Sequence, residues 1–191
     1  AYEIVSRDWS SDVCSSDLGC SCRTCCSKRR VRPGFARLRR ADPMTEVAFH
    51  FNAPDKWAYA CRLLRKAVAA GARVVVLTDA ADLDSLDSAL WTFSPLEFIP
   101  HGRWPEEPRE VAASPVVLCT SLDRELLDTH HQVLVNLGAG VPAGFESFER
   151  VIEVVTLADE DRQSARGRWK HYTDRGYTIT RHDLKLKPET H

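Results

Sequence analysis

No stretch of this sequence is long and apolar enough to cross a membrane. A spanning helix needs about 20 consecutive apolar residues, and no run in the 191-residue chain approaches that length. The chain also lacks an excess of charge of one sign, since it carries 26 basic and 27 acidic side chains. A strongly basic balance is the usual mark of a protein that follows nucleic-acid phosphates. These absences predict a soluble protein that does not bind nucleic-acid phosphates over its whole surface.

Methionine is almost absent, and the only one, Met44, separates two unlike pieces of chain. Residues 1–43 carry 9 basic and 5 acidic side chains, a formal charge of +4, whereas residues 44–191 carry 17 and 22, a formal charge of −5. The first piece shows neither a helical nor a strand period. We therefore expect one domain over 44–191, with its native start at Met44.

The cysteines of the first piece do not complete a metal site by their spacing. Cys22 and Cys25 have the spacing of half a zinc knuckle, with Cys20 and Cys26 beside them, but no second pair follows at the usual distance. A signal peptide would need an apolar centre of about 7–15 residues, which is missing. The string WSSDVCSSDL instead resembles a translated sequencing adaptor. Residues 1–43 are predicted to be disordered or not native to the protein.

Beyond Met44, short apolar runs alternate with segments of helical period. The predicted strands are 46–51, 73–78, 97–99, 115–119, 133–136, 150–155 and a last extended piece from 177; the predicted helices are one between Asp55 and Gly71, then 81–93 and 157–175. Residues 101–114 and 120–131 are predicted to be polar connections. Valine-rich runs that alternate with helices predict a doubly wound α/β domain with a mostly parallel sheet.

One glycine-rich segment suggests an alternative function, a nucleotide-binding Rossmann-like enzyme. Gly138, Gly140 and Gly144 follow a predicted strand, as the glycines of a dinucleotide loop do. Their spacing is G-x-G-x-x-x-G, however, and Pro142 interrupts the approach to any helix. A tight turn built from small residues explains the segment better.

A second enzyme-like feature is Cys119 at a strand end, with His130 and His131 downstream as candidate bases. A lone cysteine among valines and leucines is more often a small core residue. No orienting third group is recognisable, and no two histidines have metal-binding spacing on a helix. The sequence therefore provides no catalytic residue, no metal ligands and no reason to expect a cofactor.

The predicted helix 157–175 carries two neighbouring stripes. At about 100° per residue, an apolar stripe (Ala158, Ala165, Trp169, Tyr172) lies beside a basic one (Arg162, Arg166, Lys170). The simpler interpretation is a core-facing stripe flanked by solvated charges. The other is a binding surface for an acidic peptide with an aromatic or carboxylate end, because three cations adjoin an aromatic edge. Periodicity leaves both interpretations open.

Three segments together resemble the chi subunit family of bacterial DNA polymerase III. They are LDSALW with Phe93 and FIPH within 86–101, LVNL with Pro142, Phe145 and FERVIEVV within 134–155, and ARGRWKHY with RGY and HDL within 165–184. No single segment is specific, but they occur in the family's order and spacing across 44–184. Gly167 departs from the helix former usual at its position, and residues 1–43 match nothing in the family.

The resemblance implies a Rossmann-like fold without a nucleotide and a non-catalytic, cytoplasmic adaptor of the clamp-loader assembly. Family members bind the psi subunit and the acidic, phenylalanine-terminated tail of single-stranded-DNA-binding protein, so DNA is reached only indirectly. The implied state is a monomer or a 1:1 heterodimer. A direct single-strand binder stays open as a rival and would show steep salt dependence with bare oligonucleotide.

The resemblance also carries two sets of binding residues over to this chain. The tail-peptide site maps onto Val155, Arg162, Arg166, Trp169 and Lys170. The psi interface maps onto Trp91, Phe98 and Pro100.

Overall fold

The computed structural model describes residues 45–94, 98–106, 111 and 113–184. Within them the strands are β1 (Glu46–Ala53), β2 (Val74–Leu77), β3 (His101–Arg103), β4 (Val116–Cys119), β5 (Val133–Asn136), β6 (Arg150–Thr156) and β7 (Ile179–Asp183). The helices are α1 (Lys56–Ala69), α2 (Ala80–Thr92), α3 (Arg124–Thr129) and α4 (Asp159–Asp174), and a 3-10 turn spans Phe145–Ser147. The predictions for residues 1–43, including the cysteine cluster, lie outside the described residues.

The seven strands form one sheet in the order β3-β4-β2-β5-β6-β1-β7, and every pairing is parallel. Strands β4 and β5 are buried along their whole length. Such continuous apolar strands are typical of parallel sheets covered on both faces. The predicted doubly wound α/β fold is confirmed.

An apolar core lies on each face of the sheet. Leu64 of α1 and Leu86 of α2 pack in one core with alternate residues of β2, such as Val76. Leu126 of α3 and Tyr172 of α4 belong to the other core. Successive strand residues point to opposite faces, so the VVV run of β2 supplies both cores.

The helix boundaries follow ordinary capping chemistry. Asp55 caps α1, because its Oδ1 accepts hydrogen bonds from the backbone N–H groups of Trp57 and Ala58 at 2.9 and 3.0 Å. Gly71 follows α1 with φ 77°, and Gly176 follows α4 with φ 79°. Both are left-handed positions that glycine adopts without a steric penalty. No helix in the described part of the chain is both long and apolar enough to cross a bilayer.

The sequence prediction is wrong for two short elements, strand β3 and helix α3. The third strand lies at His101–Arg103, not at 97–99; Phe98 and Ile99 are described and are not in a strand, while residue 97 lies outside the described residues. Helix α3 falls inside the segment 120–131 that was predicted to be a polar connection. Both elements are too short for a reliable period and are formed by tertiary contacts: β3 pairs with β4, and α3 packs through Leu126.

Candidate partner-binding surfaces

Helix α4 turns only part of the predicted apolar stripe towards the core. Ala165 and Tyr172 are buried, and Trp169 is half-buried. Ala158 is exposed, because it is the N-cap residue and precedes the first turn. Its predicted place on the core stripe is therefore wrong.

The core-facing side of α4 contains a charge that helical spacing did not reveal. The Arg168 side chain is only 2% exposed. Its Nε lies 2.8 Å from Oε2 of Glu153 and its Nη2 lies 3.6 Å from Oδ1 of Asp161; both contacts are ion pairs rather than aligned hydrogen bonds. Its Nη1 donates a hydrogen bond of 2.8 Å to the carbonyl oxygen of Ala139. One side chain thus ties α4 to β6 and to the loop after β5.

Glu153 is the centre of this buried cluster. Its carboxylate accepts hydrogen bonds from Asn136 Nδ2 at 3.0 and 3.1 Å and from the Tyr172 hydroxyl at 2.8 Å. Burial raises the pKa of Glu153, although the Arg168 charge and these hydrogen bonds oppose the rise. Burial and the adjacent carboxylate raise the pKa of Tyr172, so this residue remains a hydroxyl donor. The cluster fixes the rotation of α4 about its own axis.

That rotation turns the basic stripe (Arg162, Arg166, Lys170) outwards. Arg166 and Lys170 are exposed, and within the described residues neither has an ion pair or a hydrogen bond from its side chain. Arg162 is partly held: its Nη2 donates to Asn52 Oδ1 at 3.2 Å, and its Nη1 lies 3.8 Å from Asp159. Among the described residues, Arg166 and Lys170 are therefore the cations of the stripe that are available to an external anion.

Trp169 borders the basic stripe and rests on two aromatic rings of β1. Its ring centroid lies 5.0 Å from that of Phe49 and 6.1 Å from that of Phe51. Val155, the fifth residue assigned to the tail site, is 0% exposed and belongs to the core that these rings cover. The structure therefore brings four of the five residues to one surface and places Val155 beneath it.

Two residues of this surface were not found from the sequence. Phe51 is half-buried beside Trp169, and Asn52 links Arg162 to Asp183, to which its Nδ2 donates at 2.6 Å. Asn52 has φ 65°, a left-handed conformation that asparagine adopts more readily than most residues. An asparagine directly after a strand was the only sequence signal, and it is too common to identify a site.

The second set of predicted residues forms a separate aromatic patch (Trp91, Phe98, Pro100). Trp91 is 60% exposed and Phe98 is 56% exposed. Their ring centroids are 4.9 Å apart, and Pro100 is also exposed. Large aromatic side chains that face solvent together are typical of protein-binding surfaces.

His101 supports the aromatic patch from below. Its ring centroid lies 5.4 Å from that of Trp91 and 6.0 Å from that of Phe98. Nδ1 is 2.7 Å from the carbonyl oxygen of Ile99, and Nε2 is 3.2 Å from Oδ1 of Asp87 on α2. The histidine therefore joins the segment that carries Phe98 to the helix that carries Trp91.

The two surfaces lie on opposite faces of the sheet and towards opposite edges. Helix α2, which carries Trp91, packs in one core and contacts β4, the second strand of the sheet order. Helix α4, which carries the basic stripe, packs in the other core and contacts β6, the fifth strand. The two surfaces therefore do not overlap.

The glycine segment after β5 is closed by its own contacts. Asn136 Oδ1 accepts from the N–H of Gly138 at 3.1 Å, and Asn136 Nδ2 donates to the carbonyl oxygen of Gly140 at 2.9 Å. The 3-10 turn Phe145–Ser147 follows, so the segment does not lead into an α-helix whose N-terminus could hold a pyrophosphate. The nucleotide-binding alternative has no support from this geometry.

Cys119 and His130 are not arranged as a nucleophile and base. The Cys119 thiol is buried and donates to the carbonyl oxygen of Val76 at 3.6 Å. Burial raises the pKa of Cys119 to about 12, so the reactive thiolate is scarce at neutral pH. The His130 nitrogens contact Thr129 Oγ1 and the carbonyl oxygen of Ser114, each at 2.9 Å. These contacts indicate a structural role for Cys119 and for His130.

Residues 44–180, which include both surfaces, match one protein family. The family is described as "DNA polymerase III chi subunit, HolC". A curated relative, DNA polymerase III subunit chi of Pseudomonas aeruginosa, is 35% identical over 126 residues, which are 65% of this chain and 84% of that protein. Because the family match covers well over half of the sequence, the chain belongs to the DNA polymerase III chi subunit family and is an accessory component of the replicative polymerase.

Proposed function

We propose that this protein is a non-catalytic adaptor of the clamp-loader assembly, which joins the psi subunit to the C-terminal tail of single-stranded-DNA-binding protein. The tail would bind the basic stripe and Trp169, and psi would bind the aromatic patch. The protein would then hold the polymerase near coated template strand without contacting the DNA itself.

One observation carries the tail assignment: Arg166 and Lys170 are exposed and unpaired among the described residues, directly beside the half-buried ring of Trp169. A tail that ends in phenylalanine offers a carboxylate and an aromatic ring close together. An arginine can bind a carboxylate through two parallel hydrogen bonds, and an adjacent aromatic ring can pack on the phenylalanine. Arg166 is our candidate for the carboxylate contact, and Trp169 with Phe51 for the ring contact.

The other two cations of the stripe have a different role in this proposal. Arg162 and Lys170 would attract the acidic residues that precede the terminal phenylalanine. Charges at the rim of an interface mainly raise the association rate and make binding depend on salt. Arg162 is already oriented by Asn52, so less conformational freedom is lost when it meets a carboxylate.

The position of the aromatic patch supports simultaneous binding of both partners. An adaptor must bind two proteins at once, and the patch and the basic stripe belong to helices on opposite faces of the sheet. The aromatic patch is apolar, whereas the stripe is cationic, so the two surfaces favour partners of different chemistry.

Binding of a labelled tail peptide, measured by fluorescence anisotropy at two salt concentrations, tests the tail assignment. We expect Arg166→Ala to weaken binding by about 2 kcal/mol or more, because it removes a charge-assisted anchor. Lys170→Ala should cost less and mainly reduce the salt dependence. A peptide without its last phenylalanine should not bind.

Lys66→Ala is the matched control, since Lys66 is an exposed cation at the end of α1, on the other face of the sheet. It should bind the peptide as the unchanged protein does. If Arg166→Ala also binds normally, or if the shortened peptide binds equally well, the basic stripe is only a solvated helix face and the tail assignment is wrong.

A further inference from the structure

The edge strand β7 brings another cation to the aromatic rings beside α4. Arg181 pairs in register with Phe49 on β1, and its Cζ lies 5.1 Å from the ring centroid of Phe51. The Arg181 side chain is 65% exposed, so most of the guanidinium faces solvent. The stacking nevertheless restricts where the guanidinium can lie.

Phe51 connects this arginine to the basic stripe. Its ring centroid lies 5.1 Å from Cζ of Arg181 and 6.1 Å from the ring centroid of Trp169. The next residue, Asn52, holds Arg162. An aromatic strip (Phe51, Trp169) thus runs from α4 to the sheet edge, with cations of the stripe at one end and Arg181 at the other.

The intramolecular partner of Arg181 is easily exchanged. Nη2 of Arg181 lies 3.7 Å from Oδ2 of Asp183, and both side chains are well exposed. Such exposed pairs contribute little to stability, because water and salt screen them. Asp183 also accepts a hydrogen bond from Asn52 at its other oxygen. A carboxylate from a ligand could therefore replace Asp183 at Arg181 at little cost.

We infer that Arg181 is part of an acidic-peptide site that extends from α4 across Phe51 to strand β7. This inference rests on the proposed function, in which the terminal aromatic residue and its carboxylate bind at Arg166 and Trp169. The peptide then passes over Phe51, and one of its upstream acidic side chains pairs with Arg181. Arg181 thereby selects for acidic residues upstream of the aromatic end.

The test compares two peptides against variants of the full chain by fluorescence anisotropy. One peptide has acidic residues before its terminal phenylalanine, and the other has the corresponding amides. Arg181→Ala should weaken the acidic peptide about two- to fivefold and the amide peptide hardly at all. Arg166→Ala should weaken both peptides. Arg181→Lys should recover part of the loss, because it restores the charge without the flat stacking surface.

Asp183→Asn gives a result that a purely structural role for Arg181 would not produce. The asparagine keeps an oxygen acceptor for Asn52 but removes the charge that competes for Arg181. We expect it to bind the acidic peptide about twofold or more tightly. Thermal melting of each variant should match that of the unchanged protein, since Arg181 and Asp183 lie exposed on the sheet edge.

The possible failures are distinguishable. If Arg166→Ala weakens binding and Arg181→Ala behaves like Lys66→Ala, the inference about β7 is wrong while the tail assignment stands. An equal effect of Arg181→Ala on both peptides contradicts pairing with an upstream acid. If neither arginine variant changes binding, both the inference and the tail assignment are wrong.

Discussion

Arg168 and Glu153 form an ion pair inside the protein, with Nε and Oε2 2.8 Å apart and almost no solvent contact on either side chain. Arg168 lies on the same helix as the basic stripe but faces the opposite way. The pair joins α4 to the middle of β6, and its hydrogen-bonded neighbours Asn136 and Tyr172 are also buried. The outward direction of Arg166 and Lys170 therefore depends on a charge that points inward.

Loss of Arg168 should strongly destabilise the protein. Arg168→Ala leaves the Glu153 carboxylate buried without a cation, and breaking a buried pair from one side costs about 3–5 kcal/mol. Urea denaturation measures the change in unfolding free energy. Arg166→Ala, two residues earlier on the exposed face, should change it by less than about 0.5 kcal/mol.

A double variant separates the charge effect from simple loss of packing. Glu153→Gln with Arg168→Met removes both charges but keeps an oxygen acceptor for Tyr172 and an apolar stem in place of the arginine. It should recover a large part of the stability lost in Arg168→Ala. If the double variant is as unstable as the single one, the ion pair is not the reason for the loss.

The fold could be predicted because its strands are buried on both faces. A central strand such as VVVL (Val74–Leu77) must be apolar throughout, and that pattern is visible in the sequence itself. Strand β3 has the sequence HGR, which contains no such pattern, and it exists because β4 offers it a free edge. Register with a neighbour is a tertiary effect that a three-residue segment does not encode.

The tail-binding site could be predicted only in part, because part of it depends on contacts between different elements. Helical spacing correctly groups Arg162, Arg166 and Lys170, but it treats any other charge on the helix as a solvated one and so overlooks Arg168. A signal existed elsewhere: Glu153 is the single charge within the otherwise apolar run VIEVV (residues 151–155), and a buried charge requires a partner. Phe51 and Arg181 could not be found, because only the sheet brings β1 and β7 together.

Acid should reduce stability through His50. Its Nδ1 lies 2.5 Å from the Tyr59 hydroxyl, and its ring centroid is 4.7 Å from that of His182. Burial, together with the His182 and Arg150 charges, lowers the pKa of His50 from 6.5 to about 4. Burial raises the pKa of Tyr59 to about 12, so the tyrosine keeps its hydroxyl proton and can donate it to neutral His50.

The sign follows from proton binding in the two states. Between pH 6.5 and 4 the unfolded chain protonates His50 and the folded chain does not, so the unfolding free energy falls as the pH falls. The contribution of His50 between pH 7 and 5 should be about 1–2 kcal/mol. Urea denaturation across this range should give a smaller pH dependence for His50→Gln than for the unchanged protein. The exposed His131→Gln is the control and should keep the original dependence; equal slopes for all three proteins would contradict the role of His50.

The aromatic patch should bind psi through side chains that folding does not need. Trp91 and Phe98 remain more than half exposed, so Trp91→Ala and Phe98→Ala should each change the unfolding free energy by no more than about 1 kcal/mol. Aromatic anchors at the centre of an interface commonly contribute about 2 kcal/mol or more to binding. Each variant should therefore weaken psi binding at least about tenfold, as measured by isothermal titration calorimetry with purified psi.

Two controls separate an interface from core packing. Leu90 precedes Trp91 on α2 but is buried, so Leu90→Ala should cost about 2–5 kcal/mol of stability, as a core truncation does. Arg166→Ala should bind psi normally, because it changes the other face of the sheet. If Trp91→Ala and Phe98→Ala are as unstable as Leu90→Ala while their folded fraction binds psi at full strength, the rings serve folding. Normal folding with unchanged psi affinity would instead show that psi binds elsewhere, and the adaptor would then need a different second surface.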